Sequence, residues 1–313
     1  MFPLFYSRKY NSTYRNDGEK LICHDDEIPI VNGIPRFVKS GVYASLFGDQ
    51  WKKFDKTQLD SFTGTSISRR RLERCLGKSN ADIHGKSVLE AGCGAGRFTE
   101  VLLEKGAHLI SADLSAAVEV NAKNFPINDR HLVIQADIND MPFEKESFDL
   151  VICLGVIQHT PDSEVAITKL FELVKKNGNL IIDHYTYTKS NLFRLAPFYR
   201  LYLKRKDAAF TIAYCEKLVD RYLPWHKKFK NNRLMSVLLN RISPVITYYN
   251  AFPELSDELQ RQWAFLDTHD SLTDWYKRFR SKSDIINILK KLGAVSIWCE
   301  NGGNGVEARC KKA

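Results

Sequence analysis

The 313-residue sequence predicts an α/β protein on a seven-stranded, mostly parallel sheet, with helices on both faces and an antiparallel last strand. Three observations carry this. Short apolar runs recur at 87–91, 108–112, 131–136, 148–155 and 180–184, separated by helical stretches; continuous runs suit strands buried on both faces. The first run opens onto a loop of alternate glycines, Gly92, Gly94 and Gly96. After an interruption at 186–281, a helix and two more strand-like runs, 294–299 and 305–310, complete the sheet.

Taken in order, residues 1–40 read as an irregular or β-rich prefix, with Asn32-Gly33 as a hairpin turn. Residues 41–79 read mostly helical. In their aromatic phrase 43–54, Phe47 and Phe54 read as core. Strand one is 87–91, with a helix from about 95 to 105. Strand two ends at Asp113, followed by a helix over 116–124. Strand three ends at Asp137 and strand four at Gly155. A helix over 163–176 is expected to stop at Gly178 before strand five. The 186–281 stretch is helical, aromatic and basic, with Pro197, Pro224, Pro244 and Pro253 as breakers. Ser283 is expected to cap a helix over 284–292, and Gly293 to end it. This divides the chain into an N-terminal cover (1–79), a core (80–185 and 282–313) and a helical basic insertion (186–281). Cover and insertion together are expected to form a lid over the carboxyl ends of the strands, because the insertion departs right after Tyr185.

Composition narrows the classes. Hydrophobic residues make up 44% and charged residues 27%, ordinary for a globular protein, and no apolar run approaches the ~20 residues of a membrane span. The N-terminus lacks the order of a signal peptide, so a cytoplasmic location is expected. Seven cysteines without a C-x-x-C pair imply neither a disulfide framework nor a zinc site, and no metal is expected. The net charge is +9. The 186–281 stretch alone holds 17 lysines and arginines against 9 aspartates and glutamates. That suits an anionic partner (a charged small molecule, an acidic lipid surface or RNA) or simply a solvated helical surface.

The glycine loop carries the chemistry. Glycines let the chain turn sharply and let a ligand approach the backbone, and the following helix start points its amides the same way. Arg97 stands where the nicotinamide-binding fingerprint would need its third glycine. The spacing Glu90-x-Gly92-x-Gly94-x-Gly96 instead resembles motif I of the class I S-adenosylmethionine-dependent methyltransferases, which have a Rossmann-like sheet. The resemblance covers 85–185 well and 282–310 loosely. It implies S-adenosylmethionine as cofactor. Gly92, Cys93, Gly94, Gly96 and Arg97 would lie along it, with Glu90 toward the methionyl amino group. Asp113 and Leu114 would face the ribose, Asp137 and Ile138 the adenine, and Leu154 and Gly155 the sulfonium. Both aspartates also suit helix N-capping. The resemblance further implies that helices before motif I close over the bound ligands, which makes Gln50, Trp51 and Gln58 candidates to face a pocket.

Gln158-His159 follows strand four, beside the expected sulfonium. His159 is the candidate base, with an ordinary pKa near operating pH, or else an orienting group. Asp183, His184 and Tyr185 at the end of strand five are second candidates. Asp267 and Asp270, in the Asp-Thr-His-Asp cluster, are candidates to face an acceptor or to serve as caps. The function expected is methyl transfer to a small molecule, on oxygen first, with an anionic acceptor suiting the charge. The rivals are an RNA methyltransferase, although no nucleic-acid module is recognisable, and a non-catalytic cofactor-binding partner protein. The sequence carries no signal for oligomeric state.

Overall fold

The computed structural model describes residues 2–38, 51, 53–187 and 194–313. At its centre are seven strands: β1 (Ser87–Ala91), β2 (His108–Asp113), β3 (His131–Gln135), β4 (Phe148–Cys153), β5 (Val174–Tyr185), β6 (Ala294–Gly302) and β7 (Gly305–Lys312). Their order is β6-β7-β5-β4-β1-β2-β3. β7 runs antiparallel to β5 and β6, and the remaining pairs are parallel. This is the Rossmann-like sheet the sequence predicts. The chain reverses its direction of travel across the sheet between β1 and β4, which leaves a crevice above their carboxyl ends.

Successive side chains of a strand point to opposite faces, and the apolar runs use both. Val88, Leu109, Leu150 and Ile181 pack with Leu72, Leu76, Val101 and Leu102 on one face. Leu89, Ile110, Ile134 and Val151 pack with Ile167, Leu170, Ile285 and Leu289 on the other. Burying each such side chain contributes about 1.5–3 kcal/mol.

Four expectations need correction. The helix over 163–176 ends at Leu173, and β5 begins at Val174, so Gly178 lies within a strand. Val174 pairs with Phe148, the register then shifts before Asn179 meets Leu150, and Asn177 takes up the irregularity at φ 63°. The helix expected from about 95 starts at Thr99. The last helix spans Lys282–Lys291 and is capped by Ser281 in place of Ser283: Ser281 Oγ accepts from Asp284 N, and Asp284 returns the bond to Ser281 N. Pro224 does not break its segment but sits inside the helix Ala208–Phe229, where Leu218, Val219, Leu223 and His226 are buried on either side of it.

The prefix forms small antiparallel sheets, and Asn32 and Gly33, both at positive φ, make the hairpin turn joining Val31 to Ile34. It does not cover the crevice. Phe37 N donates to Gln135 O, Tyr6 N donates to Pro142 O, and Ile34 is buried with Val118 and Val133, so residues 2–38 shield the outer edge of β3. Phe47, Gln50 and most of the aromatic phrase lie outside the described residues. The insertion is helical, with Ala196–Leu203, Ala208–Phe229, Arg233–Ile242 and Asp257–Thr273. It has its own apolar centre, including Leu203, Cys215, Val219, Phe265 and Leu272, against which Trp51 and Phe54 pack.

Candidate active site

The crevice holds a cavity of about 330 Å³. Its floor is made by the ends of the parallel strands. Gly92, Cys93 and Gly94 follow β1, Asp113 and Leu114 end β2, Asp137 and Ile138 follow β3, and Leu154, Gly155 and His159 follow β4. Arg97, Trp51 and Gln58 line one side. Leu266, Asp267, Asp270, Trp275 and Tyr276 of the insertion also line it.

The loop after β1 is fixed by backbone geometry. Gly92, at φ 85°, lies so close to Val156 that a Cβ would stand 2.1 Å from its Cγ2. Gly94 N donates to Asp113 Oδ2 at 3.0 Å, while Asp113 Oδ1 accepts from Ser115 N (2.8 Å) and Oγ (2.7 Å). Burial raises the pKa of Asp113 against these bonds, which lower it. Asp137 Oδ1 accepts from the backbone and side-chain amides of Asn139, an Asx turn that sets its position.

Two residues placed at the cofactor by the sequence are not in the cavity wall. Glu90 lies beneath the loop, where its carboxyl accepts from Thr99 Oγ1 at 2.5 Å; burial pushes its pKa up to about 8. Gly96 serves packing: a Cβ there would come within 2.4 Å of the Phe125 ring. Both sit one layer under the ligand-facing surface.

His159 belongs to an ion-pair chain that sequence spacing does not reveal. Its Nδ1 lies 3.0 Å from Asp274 Oδ2, and its ring meets Tyr185 edge-on at 5.4 Å. Asp274 is fully buried, and Arg200 Nε donates to its Oδ1 at 2.7 Å. Burial alone would lower the imidazole pKa. The hydrogen bond to Asp274, with the charges of Asp270 and Asp274, outweighs burial and raises it. The strap 274–280 is laced to the floor by Arg278 N to Gln158 O and Arg280 N to Tyr185 O, both 2.9 Å.

His184 is not in the site. Its Nε2 lies 2.9 Å from Ser163 Oγ and its Nδ1 2.9 Å from Tyr185 O; burial holds its pKa down at about 4, so it is a neutral packing residue. Its neighbour Asp183 points to the opposite face of β5 and lies buried under Gly155. Asp183 Oδ1 accepts from Gly155 N at 2.6 Å, and its Oδ2 accepts from Arg71. Arg71 also approaches Glu307, which receives two bonds from Arg74 at 2.7 and 2.8 Å. Asp267 stays in the wall, hydrogen-bonded by Tyr248 OH.

Residues 89–182 match a methyltransferase domain family. The chain is 26% identical over 168 residues to a demethylmenaquinone methyltransferase of Clavibacter sepedonicus, covering 53% of this chain and 66% of that protein. It is 32% identical over 104 residues to a ubiquinone biosynthesis O-methyltransferase of Coxiella burnetii, covering 32% and 44%. The chain thus spans about two thirds of the first relative's length and under half of the second's. Among solved structures it is similar to an S-adenosyl-L-methionine-dependent methyltransferase of Methanococcus maripaludis, at 15% identity and a TM-score of 0.48, covering 88% and 97% of the two chains.

Proposed function

The chain carries a class I S-adenosylmethionine-dependent methyltransferase domain, and on that premise we propose that it transfers the cofactor's methyl group to an oxygen of a small molecule. The cofactor is S-adenosylmethionine, which when bound supplies an electrophilic methyl on a sulfonium. The residues fit it. Gly155, at φ 83°, has open space where a side chain would stand, and Gly94 presents its backbone beside the Trp51 ring. Asp113 keeps acceptor capacity on Oδ2, which receives one described bond, so it suits a ribose hydroxyl.

The observation that carries the reading is His159, held by Asp274 in the same cavity wall as Gly155. A proton on Nδ1 donated to Asp274 fixes the tautomer whose Nε2 carries the basic lone pair. That nitrogen would take the proton from an acceptor hydroxyl, and the bound cofactor would supply the methyl group to the oxygen so activated. Arg97, in the wall, would receive an anionic portion of the acceptor, and the 267–276 segment excludes water. The seven buried thiols support a reducing, cytoplasmic setting.

The test is isotopic. The full chain, incubated with methyl-labelled S-adenosylmethionine and a cell extract, should place label in a low-molecular-mass product. Label in RNA would replace this reading with the RNA one. Cofactor binding by calorimetry with no label transferred would leave a binding protein.

A further inference from the structure

A surface helix normally turns its apolar stripe to the core. The helix Arg233–Ile242 buries Leu239 alone: Leu234 is 78% exposed, and Val237, Leu238 and Ile242 are open to solvent. The helix Ala196–Leu203 repeats this, with Phe198, Leu201 and Tyr202, at i, i+3 and i+4, all exposed and Leu201 at 80%. The two helices adjoin, since Leu195 N donates to Arg241 O at 2.8 Å.

Cations outnumber anions around this face, although exposed Asp207 follows Lys206 and Asp257 pairs with Lys227. From Arg221 to Pro253 the chain holds six lysines and arginines and no aspartate or glutamate. Arg233 and Arg241 are exposed on the apolar helix itself, and exposed Arg205 and Lys206 follow the other. We propose that this face of the insertion docks the protein onto an anionic lipid surface. Leu, Val, Ile and Phe would enter the boundary between headgroups and acyl chains while the cations meet lipid phosphates. No described helix is long and apolar enough to cross a membrane, so the face lies on the bilayer. A second copy fits less well, because two-fold pairing would set the same cations against one another. RNA would not require the exposed aliphatic side chains. The docking helix also carries Arg200, the partner of Asp274, so the lipid surface and the cavity share one element.

Sedimentation of the full chain with phosphatidylcholine vesicles, with and without phosphatidylglycerol, tests this. Binding is expected only with phosphatidylglycerol and should weaken as salt rises. The double variant Leu234→Glu, Leu238→Glu should bind at least ~10-fold less, with circular dichroism and thermal unfolding unchanged because both side chains are exposed. Leu201→Glu should show the same direction, as should Arg205→Glu with Lys206→Glu at low salt. Absence of vesicle binding, or equal binding by wild type and the double variant, overturns the proposal. A dimer seen by ultracentrifugation that the double variant loses, without vesicle binding, would assign the face to a second copy. RNA binding without vesicle binding would assign it to nucleic acid.

Discussion

The two walls of the cavity are built differently. The wall proposed for the cofactor is local: Gly94 is held by Asp113, 19 residues on, and Asp113 by Ser115, so short loops at strand ends do the positioning there. The wall proposed for the acceptor is assembled at a distance: His159 finds Asp274 across 115 residues, and Asp274 finds Arg200 across 74. Its groups are charged side chains on separate elements, held by pairing. A local wall can be inherited by many proteins unchanged. A wall made of long-range pairs can be rebuilt for a new acceptor without disturbing the cofactor.

Four substitutions would break or sharpen this contrast. The largest effect is expected for His159→Ala, which should lower turnover about 100-fold or more while leaving cofactor affinity nearly unchanged. Calorimetry showing lost cofactor binding would make His159 part of the cofactor wall. Next, Asp113→Ala should weaken S-adenosylmethionine binding by about 1.5–3 kcal/mol, the cost of a charged hydrogen bond. Unchanged affinity in a folded variant would remove Asp113 from the site.

Asp274→Asn should lower turnover about 10-fold, as loss of a positioning partner does. It should also shift the pH profile. In the wild type the histidine pKa is raised, so activity that needs neutral His159 should climb as pH rises through that raised value. The stability gained from the protonated pair runs the other way: it is complete below the unfolded histidine pKa and is lost over the same rise. Removing the Asp274 charge should move the activity inflection to lower pH, and an unmoved inflection would separate the pair. The smallest effect is expected for His184→Ala. It should keep turnover within about twofold and cost about 1–3 kcal/mol of stability, because Ser163 and the Tyr185 carbonyl lose a buried partner. Thermal unfolding and steady-state kinetics on one sample check both halves.

The same contrast explains what the sequence revealed. Strand ends, the glycine loop and Asp113 were legible because continuous apolar runs and short-range turns leave marks within a few residues. His159 and Asp267, singled out by position after a strand and by a polar cluster, both line the cavity. Asp274 as the partner of His159, and the Arg71–Asp183–Glu307 chain, were not, since nothing local distinguishes a buried aspartate from a solvated one. Glu90 and Gly96 lie beneath the loop and outside the cavity wall: motif spacing fixes where a residue sits along the chain, not which face of the loop it supports. His184 does not line the cavity, because its ring is held by Ser163 and the Tyr185 carbonyl, contacts that no local pattern marks.

The brace under Gly155 has a consequence for biosynthesis. Arg71, Asp183 and Glu307 are all buried, and Arg71 lies between the two carboxylates. During translation the first two emerge long before the third. Until Glu307 leaves the ribosome, Arg71 has Asp183 alone and Arg74 lacks its two bonds to Glu307, so the brace is incomplete. The cofactor loop is therefore among the first parts of the core to be made and among the last to be locked. A nascent chain stalled before β7 should bind S-adenosylmethionine poorly, although every residue lining the cofactor wall has already been synthesised.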